Sequence, residues 1–268
     1  MTVRVGIAGC GGRMGRTLIE AVGQTSGVTV AGGSERPDSD AVGRDVGTIA
    51  GFEPIGIEAT GDPASLFDAS DVVIDFTTPS LALSHLELAR STGTALVIGT
   101  TGLDDVGRAA MVAAGDDAAI VFGANMSLGV NLLLGLTRQV AAALDDDFDI
   151  EVVEMHHRHK KDAPSGTALA LAEAAAEGRG VALGDVADRG RDGLTGARQR
   201  GAIGLAALRG GDVVGDHTVI FAADGERIEI GHRASSREIY ARGALKAAAW
   251  AANREPGFYG MADVLGLT

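Results

Sequence analysis

Cysteine is almost missing from this 268-residue chain, with Cys10 the only one. No intrachain disulfide can form, and the cysteine usage does not point to an oxidising compartment. Aromatic residues are scarce at 4%, which leaves little for stacking against single-stranded nucleic acid. Basic charge is also short: 23 Lys and Arg face 36 Asp and Glu, for a formal net charge of −13. A nucleic-acid or anionic-membrane partner needs a broad basic face, so neither is expected. A small anion stays open as a partner, because exposed charges are screened beyond about 8–10 Å, but it requires a local basic cluster. Residues 1–9 lack a signal peptide's basic flank, apolar run and small-residue cleavage site, so a cytoplasmic location is the expectation. Residues 118–137 carry no charge and are about long enough to span a bilayer. Asn125, Ser127, Asn131 and several Gly within them favour a loop for the first half, and no membrane span is expected.

The chain is rich in Gly, with 40 residues, and 46% hydrophobic, ample for a buried core and many tight turns. Val3–Ala8 is an apolar run of strand length, followed by a Gly cluster and an amphipathic pattern over residues 14–22. Further short apolar runs fall at 28–31, 71–76, Ala95–Ile98 and Ala119–Phe122, with helical patterns at 80–92 and 103–114. Short apolar strands alternating with helices predict a parallel sheet covered on both faces. The pattern changes after about residue 127. A helix is predicted over 129–144 and a strand over 149–155, while 178–215 is rich in Gly and Arg and reads as a loop region. Strands at 216–222 and 226–232 flank Asp224-Gly225, a hairpin signal. A last helix over 237–253 is expected to return to the first domain. The fold class is therefore α/β: a Rossmann-type parallel-sheet domain at 1–127, completed by 238–268, plus a smaller α+β substrate and oligomerisation domain at 128–237 with an open mixed sheet. An open sheet needs cover, and self-association is one way to supply it.

The first Gly cluster reads Gly9-Cys10-Gly11-Gly12-Arg13-Met14-Gly15. Position 14 breaks the spacing G-x-G-x-x-G, whereas Gly9, Gly12 and Gly15 fit G-x-x-G-x-x-G. Either spacing puts a tight turn at a helix N-terminus, whose N–H groups and positive dipole end suit a pyrophosphate. Glu35 lies 20 residues after Gly15, where a carboxylate accepts hydrogen bonds from the adenine ribose hydroxyls. Arg36 beside it suits a 2′-phosphate, so NADH and NADPH both remain open. Phe76-Thr77-Thr78-Pro79, Gly99-Thr100-Thr101-Gly102 and Gly123-Ala124-Asn125-Met126 follow later strands. Open α/β sheets place ligands at such strand ends.

Three of the six histidines, His156, His157 and His159, sit beside Arg158, Lys160 and Lys161. Asp162-Ala163-Pro164-Ser165-Gly166-Thr167 and an Ala/Leu-rich helix over 168–176 come next, with Ser165 the expected N-cap. Gly166 and Thr167 then present N–H groups to a carboxylate, and the Thr167 hydroxyl adds a donor. A basic cluster next to a helix start makes a receptor for a small dicarboxylate, and His and Lys are suited to proton transfer at neutral pH. No zinc spacing is present, and no metal is expected.

These segments resemble the dihydrodipicolinate reductase family, also called 4-hydroxy-tetrahydrodipicolinate reductases. The resemblance runs over essentially the whole chain: residues 5–15, Asp75-Phe-Thr-Thr-Pro79, 99–102, 125–131, and above all Glu154-Met-His-His-Arg-His-Lys-Lys-Asp-Ala-Pro-Ser-Gly-Thr-Ala168. Gly215-Asp-His-Thr218 and His232-Arg-Ala-Ser-Ser-Arg237 also fit. It implies a homotetramer that reduces a cyclic unsaturated imine with NADH or NADPH. His156 is implied as catalytic proton donor or acceptor and Lys160 as a second proton donor. His157, Lys160, Ser165, Gly166 and Thr167 are implied as substrate contacts. Gly9, Cys10, Gly11, Gly12, Arg13, Met14, Glu35, Arg36, Gly99, Thr100, Thr101, Gly123, Ala124, Asn125 and Met126 are implied as cofactor contacts. Aspartate-semialdehyde dehydrogenase, another two-domain enzyme, needs a nucleophilic cysteine in its substrate domain, and Cys10 lies in the dinucleotide turn. A non-catalytic NAD(P)-sensing protein would explain the Gly-rich turn but leave the His/Lys cluster without a use.

Overall fold

The apolar runs and the helices between them order along the chain as β1 (Val3–Ala8), α1 (Arg13–Gly23), β2 (Val28–Ser34), α2 (Val46–Ala50), α3 (Pro63–Ala69), β3 (Val72–Asp75), α4 (Pro79–Thr92), β4 (Ala95–Ile98), α5 (Asp105–Ala114) and β5 (Ala119–Phe122). There follow α6 (Leu128–Ala143), β6 (Asp149–His156), α7 (Gly166–Gly178), α8 (Leu183–Val186), β7 (Ala187–Asp188), β8 (Ile203–Arg209), β9 (Gly215–Ala223), β10 (Glu226–Ala234), α9 (Glu238–Ala251), β11 (Gly257–Gly260) and α10 (Met261–Leu265). These elements come from a computed structural model that describes residues 2–267. By contacts, the chain forms two units: residues up to Leu128 with those from Glu238 onward, and Gly129–Arg237.

The first unit holds a six-stranded sheet in the order β11-β5-β4-β3-β1-β2, parallel throughout. Every residue of β3 and β4 is buried, as a parallel sheet with helices on both faces requires. Val72, Ile74, Val97 and Val121 face a core shared with Leu18 of α1 and with Ala244, Leu245 and Ala248 of α9. Val73, Leu96, Ile98 and Ile120 face the opposite core, with Leu66, Leu86 and Met111 of α3, α4 and α5. From β1 the chain goes to β2 on one side and then to β3 on the other. The carboxyl ends of β1 and β3 are therefore a topological switch point, where open α/β sheets bind ligands. Residues 118–137 divide into β5, a turn and the start of α6. Among the described residues, no helix is long and apolar enough to cross a membrane.

The second unit holds a mixed five-stranded sheet, β10-β9-β6-β8-β7. β9 is antiparallel to β6 and β10, whereas β8 is parallel to β6 and β7. β6 alternates strictly, with Ile150, Val152, Glu154 and His156 buried. Ile150 and Val152 join Ile203, Leu205, Val219 and Phe221 under Leu171, Ala172 and Ala175 of α7. The other face carries Val153, Met155, Leu208 and Ile220, none of them buried.

One expectation needs correction. Residues 178–215 are not all loop, because they include α8, β7 and the interior strand β8. β8 reads Ile-Gly-Leu-Ala-Ala-Leu-Arg, and its Gly and Ala residues have low strand preference. Pairing with β6, together with burial of Ile203 and Leu205, overrides that preference. The irregular segment before β8 is pinned by Arg198, whose guanidinium donates to the carboxylates of Asp149 (2.6 Å) and Glu151 (2.9 Å) and to the carbonyls of Ile150 and Ala202.

Candidate active site

The Gly-rich turn leaves β1 with Gly9 at φ +73°, a conformation that side chains disfavour. A Cβ on Gly15 would stand 2.2 Å from the Gly9 carbonyl oxygen and 2.7 Å from Cys10 Cα. Only glycine lets α1 approach the turn this closely. The first intrahelical bond runs from Arg16 N–H to Gly12 O, which leaves the N–H groups of Arg13, Met14 and Gly15 ahead of the helical ladder. This geometry fits a pyrophosphate.

Glu35 closes the turn from the side. Its Oε1 accepts from Gly11 N–H at 3.0 Å, and its Oε2 accepts from Arg36 N–H at 3.3 Å. A carboxylate has about four acceptor sites, so ribose hydroxyls can still be bound. Arg36 is exposed, and together with Arg16 and Arg44 it lines a polar cleft of 550 Å³ beside Glu35. A second cleft of 370 Å³ runs from Gly9 and Gly12 past Glu35 and Arg36 to Thr77, Thr78 and His85. Both suit the adenosine end of a dinucleotide. A smaller cavity of 190 Å³ is lined by Met14, Phe76, Gly99, Gly123, Ala124, Asn125 and Met126. Most of the residues expected to contact the cofactor therefore line one of these three spaces.

Cys10 and Thr100 take more restricted places. The Cys10 side chain lies in the core, its N–H donates to Ser34 O, and burial with the nearby Glu35 charge pushes its thiol up to about 11. Its part in the turn is therefore structural. Thr100 is buried, and its hydroxyl donates to Asp75 Oδ1 at 2.9 Å, while Thr101 is exposed. Sequence reasoning missed Asp75 as a site residue. It is fully buried at the end of β3, where Oδ1 also accepts from the Thr77 N–H and hydroxyl at 2.7 Å each. His85 Nδ1 lies 2.6 Å from Oδ2. Burial pushes the Asp75 carboxyl up, but bonds from His85 and Thr77 and the His85 charge outweigh it, leaving the carboxyl below its ordinary value. This knot ties the loops after β3 and β4 together.

The second cluster forms at the end of β6. The inward alternation that buries Ile150 and Val152 also turns Glu154 and His156 to the α7 side. Pairing places His217 of β9 opposite Glu154, Arg209 of β8 opposite His156, and His232 of β10 opposite His217. Glu154 is 1% exposed and accepts four hydrogen bonds. Its Oε2 meets His156 Nδ1 at 2.6 Å and Arg209 Nη1 at 2.7 Å, and its Oε1 meets Arg209 Nη2 at 2.8 Å and Ser165 N–H at 3.0 Å. Burial raises the Glu154 carboxyl, yet the bonds from Arg209, His156 and Ser165 hold it below its usual range.

Ser165 caps α7 as the sequence predicts, its Oγ accepting from Ala168 N–H at 3.2 Å. The same oxygen lies 3.0 Å from His217 Nε2. The His217 and His156 rings meet edge-on with centroids 5.1 Å apart. Burial, then the His156 charge, pushes His217 down to about 4, with Lys160 acting in the same direction. Lys160 Nζ donates to both carboxylate oxygens of Asp162 at 3.0 and 2.9 Å. His157 is half-buried, with Nδ1 lacking a hydrogen-bond partner, whereas Arg158, His159 and Lys161 are exposed. Gly166 is exposed at the first position of α7, where a Cβ would meet no atom within 4 Å. The structure joins His156 and Ser165 through Glu154, and it ties the loop that carries Lys160 to the same carboxylate through Arg209, which also donates to the Asp162 carbonyl. The basic run alone gave no sign of Arg209, while Glu154 and His217 stood in the family-like segments 154–168 and 215–218 with no role assigned to either.

Comparisons agree with this architecture. A family model described as "Dihydrodipicolinate reductase, N-terminus" matches residues 3–126, and one described as "Dihydrodipicolinate reductase, C-terminus" matches residues 129–265. The chain is 56% identical over 261 residues to the 4-hydroxy-tetrahydrodipicolinate reductase of Dinoroseobacter shibae, covering 97% of each chain. It is also 56% identical over 266 residues to that of Parvibaculum lavamentivorans, covering 99% of this chain and 98% of the relative. A solved dipicolinate-bound dihydrodipicolinate reductase from Paenisporosarcina sp. TG-14 shares the fold at a TM-score of 0.75 and 23% identity, covering 97% of this chain and 98% of that one. With both halves matched by its models and relatives this similar over their full length, the chain belongs to the dihydrodipicolinate reductase family of oxidoreductases.

Proposed function

We propose that the protein reduces 4-hydroxy-tetrahydrodipicolinate to tetrahydrodipicolinate, consuming NADH or NADPH and one proton and releasing NAD(P)⁺ and water. Its close relatives bear the name of this activity, and a solved structure with the same fold holds dipicolinate, a small aromatic dicarboxylate. The observation that carries the reading is the buried Glu154 carboxylate at the end of β6, which holds the His156 imidazole and the N-cap of α7 and is tied through Arg209 to the loop that carries Lys160.

When bound, the cofactor supplies a hydride from its nicotinamide ring. The turn through Gly9, Cys10, Gly11, Gly12, Arg13 and Met14 holds the pyrophosphate, using the leading N–H groups of α1. Glu35 accepts from the adenine ribose hydroxyls. Arg36, with Arg16 and Arg44 in the same cleft, accommodates a 2′-phosphate, so both cofactors are used. Gly99, Thr101, Gly123, Ala124, Asn125 and Met126 position the nicotinamide, and Thr100 secures their loop from behind through Asp75.

Gly166 and Thr167 at the start of α7 bind one substrate carboxylate, and His157 and Lys160 compensate the rest of the dianion's charge. That local positive charge is needed in a chain whose formal net charge is −13. Lys160 exchanges Asp162 for the substrate and donates a proton, while His156 gives or takes one at Nε2. The half-exposed outer face of the second sheet, with Val153, Met155, Leu208 and Ile220, supports a homotetramer as the working form. A single reduced cysteine suits the cytoplasm.

The test is loss of nicotinamide absorbance when the purified protein meets product freshly made by the enzyme that supplies this ring. Oxidation of both NADH and NADPH, dependent on that product, is the expected result. Binding of either cofactor with no oxidation would overturn the reading.

A further inference from the structure

Glu154 lies two residues before His156 on the same strand, makes no contact with solvent through its side chain, and nevertheless stays ionised. An ionised carboxylate only accepts hydrogen bonds. Its four hydrogen bonds accordingly come from three partners acting as donors: Arg209 twice, Ser165 N–H and His156 Nδ1. We infer that Glu154 is a positioning residue for the reaction, fixing His156 as the Nδ1–H tautomer so that Nε2 is the nitrogen that exchanges the proton. The inference rests on the reductase reading above, in which His156 performs that exchange.

Three observations support it. The bond from His156 Nδ1 is short, at 2.6 Å, as expected when an ionised acceptor assists. Arg209 keeps the carboxylate charged, because a buried carboxylate without a counter-charge would take up a proton and could then act as a donor itself. Its Nη2 also donates to Asp162 O at 2.7 Å, so one guanidinium holds both the carboxylate and the loop that carries Lys160. At the other ring nitrogen, a Cβ on residue 215 would stand 3.0 Å from His156 Nε2. Glycine there keeps the approach to that nitrogen clear. The logic matches that of a triad carboxylate behind a catalytic histidine, reached here on an open mixed sheet.

The test has two arms on the full-length protein. Long-range ¹H–¹⁵N correlation spectra of the wild type, with His156 assigned by its loss in His156→Gln, report which ring nitrogen carries hydrogen in the neutral form. The inference requires hydrogen on Nδ1, and a neutral His156 with hydrogen on Nε2 overturns it. In Glu154→Gln an amide can donate to Nδ1 and reverse the tautomer. Loss of a comparable carboxylate costs about 10⁴-fold in serine proteases, and here kcat is expected to fall by roughly 10²–10⁴-fold with KM for both substrates within about threefold. A Glu154→Gln enzyme that folds and keeps kcat within about twofold of the wild type also overturns it. If the variant does not fold, the wild-type spectrum decides alone. Hydrogen on Nδ1 in a protein that oxidises no NAD(P)H would uphold the positioning and sink the reductase reading instead, which keeps the two failures distinct.

Discussion

At the scale of single residues, the imidazole of His217 is buried with its ring edge-on to His156, so a proton on it would be a charge taken out of water. Its folded-state pKa of about 4 lies below the ordinary 6.5. Between those values the unfolded chain binds a proton that the folded chain refuses, so stability falls as pH drops from 6.5 towards 4. The shift corresponds to at most on the order of 3 kcal/mol. Glu154 acts in a lower window: its depressed carboxyl gives stability above the unfolded carboxylate value that is lost as pH falls through the folded one. Urea unfolding at pH 7, 5.5 and 4 should show the His217 slope, and His217→Gln should flatten it between 6.5 and 4. An unchanged slope in the variant would refute the assignment. His156, Lys160 and Ser165 were legible in the sequence because they sit within ten consecutive positions beside a visible helix start. Glu154, Arg209 and His217 come from three strands, and only the pairing register joins them.

At the scale of elements, β1, the turn and α1 form one device whose tightest point is Gly15. A methyl group there meets backbone at 2.2 and 2.7 Å, and backbone cannot yield as a flexible side chain does. Gly15→Ala is expected to destabilise by about 1–3 kcal/mol, the usual range for overpacking. Displacing the N–H groups of α1 should also weaken NADH binding by about tenfold or more. Thermal unfolding and fluorescence titration with NADH check both effects, and full affinity in the variant would contradict the account of the turn. Strands such as β1, β4 and β5 could be read from the sequence because buried parallel strands are unbroken apolar runs between turn signals. β8 could not, because Gly204, Ala206 and Ala207 dilute its pattern and its pairing partners lie elsewhere in the chain. β11 was hidden for a similar reason: four residues, two of them glycine, become a strand only beside β5.

For the whole molecule, a strongly acidic chain gathers cations at two places suited to anionic small molecules. Arg16, Arg36 and Arg44 gather around Glu35, and Lys160, Arg209 and the histidines gather at the end of β6. The parallel sheet could be foreseen as a frame for the first site, and the alternating strand β6 frames the second. Proton supply by the β6 cluster is most sharply in question at Lys160, whose ammonium is paired with Asp162 in this structure. Stopped-flow single turnover with NADH and the ring substrate, in the wild type and in Lys160→Ala, tests it most directly. Turnover should fall by roughly 10²–10⁴-fold with NADH affinity unchanged, the cost of a lost general acid; equal rates in the two proteins would contradict it.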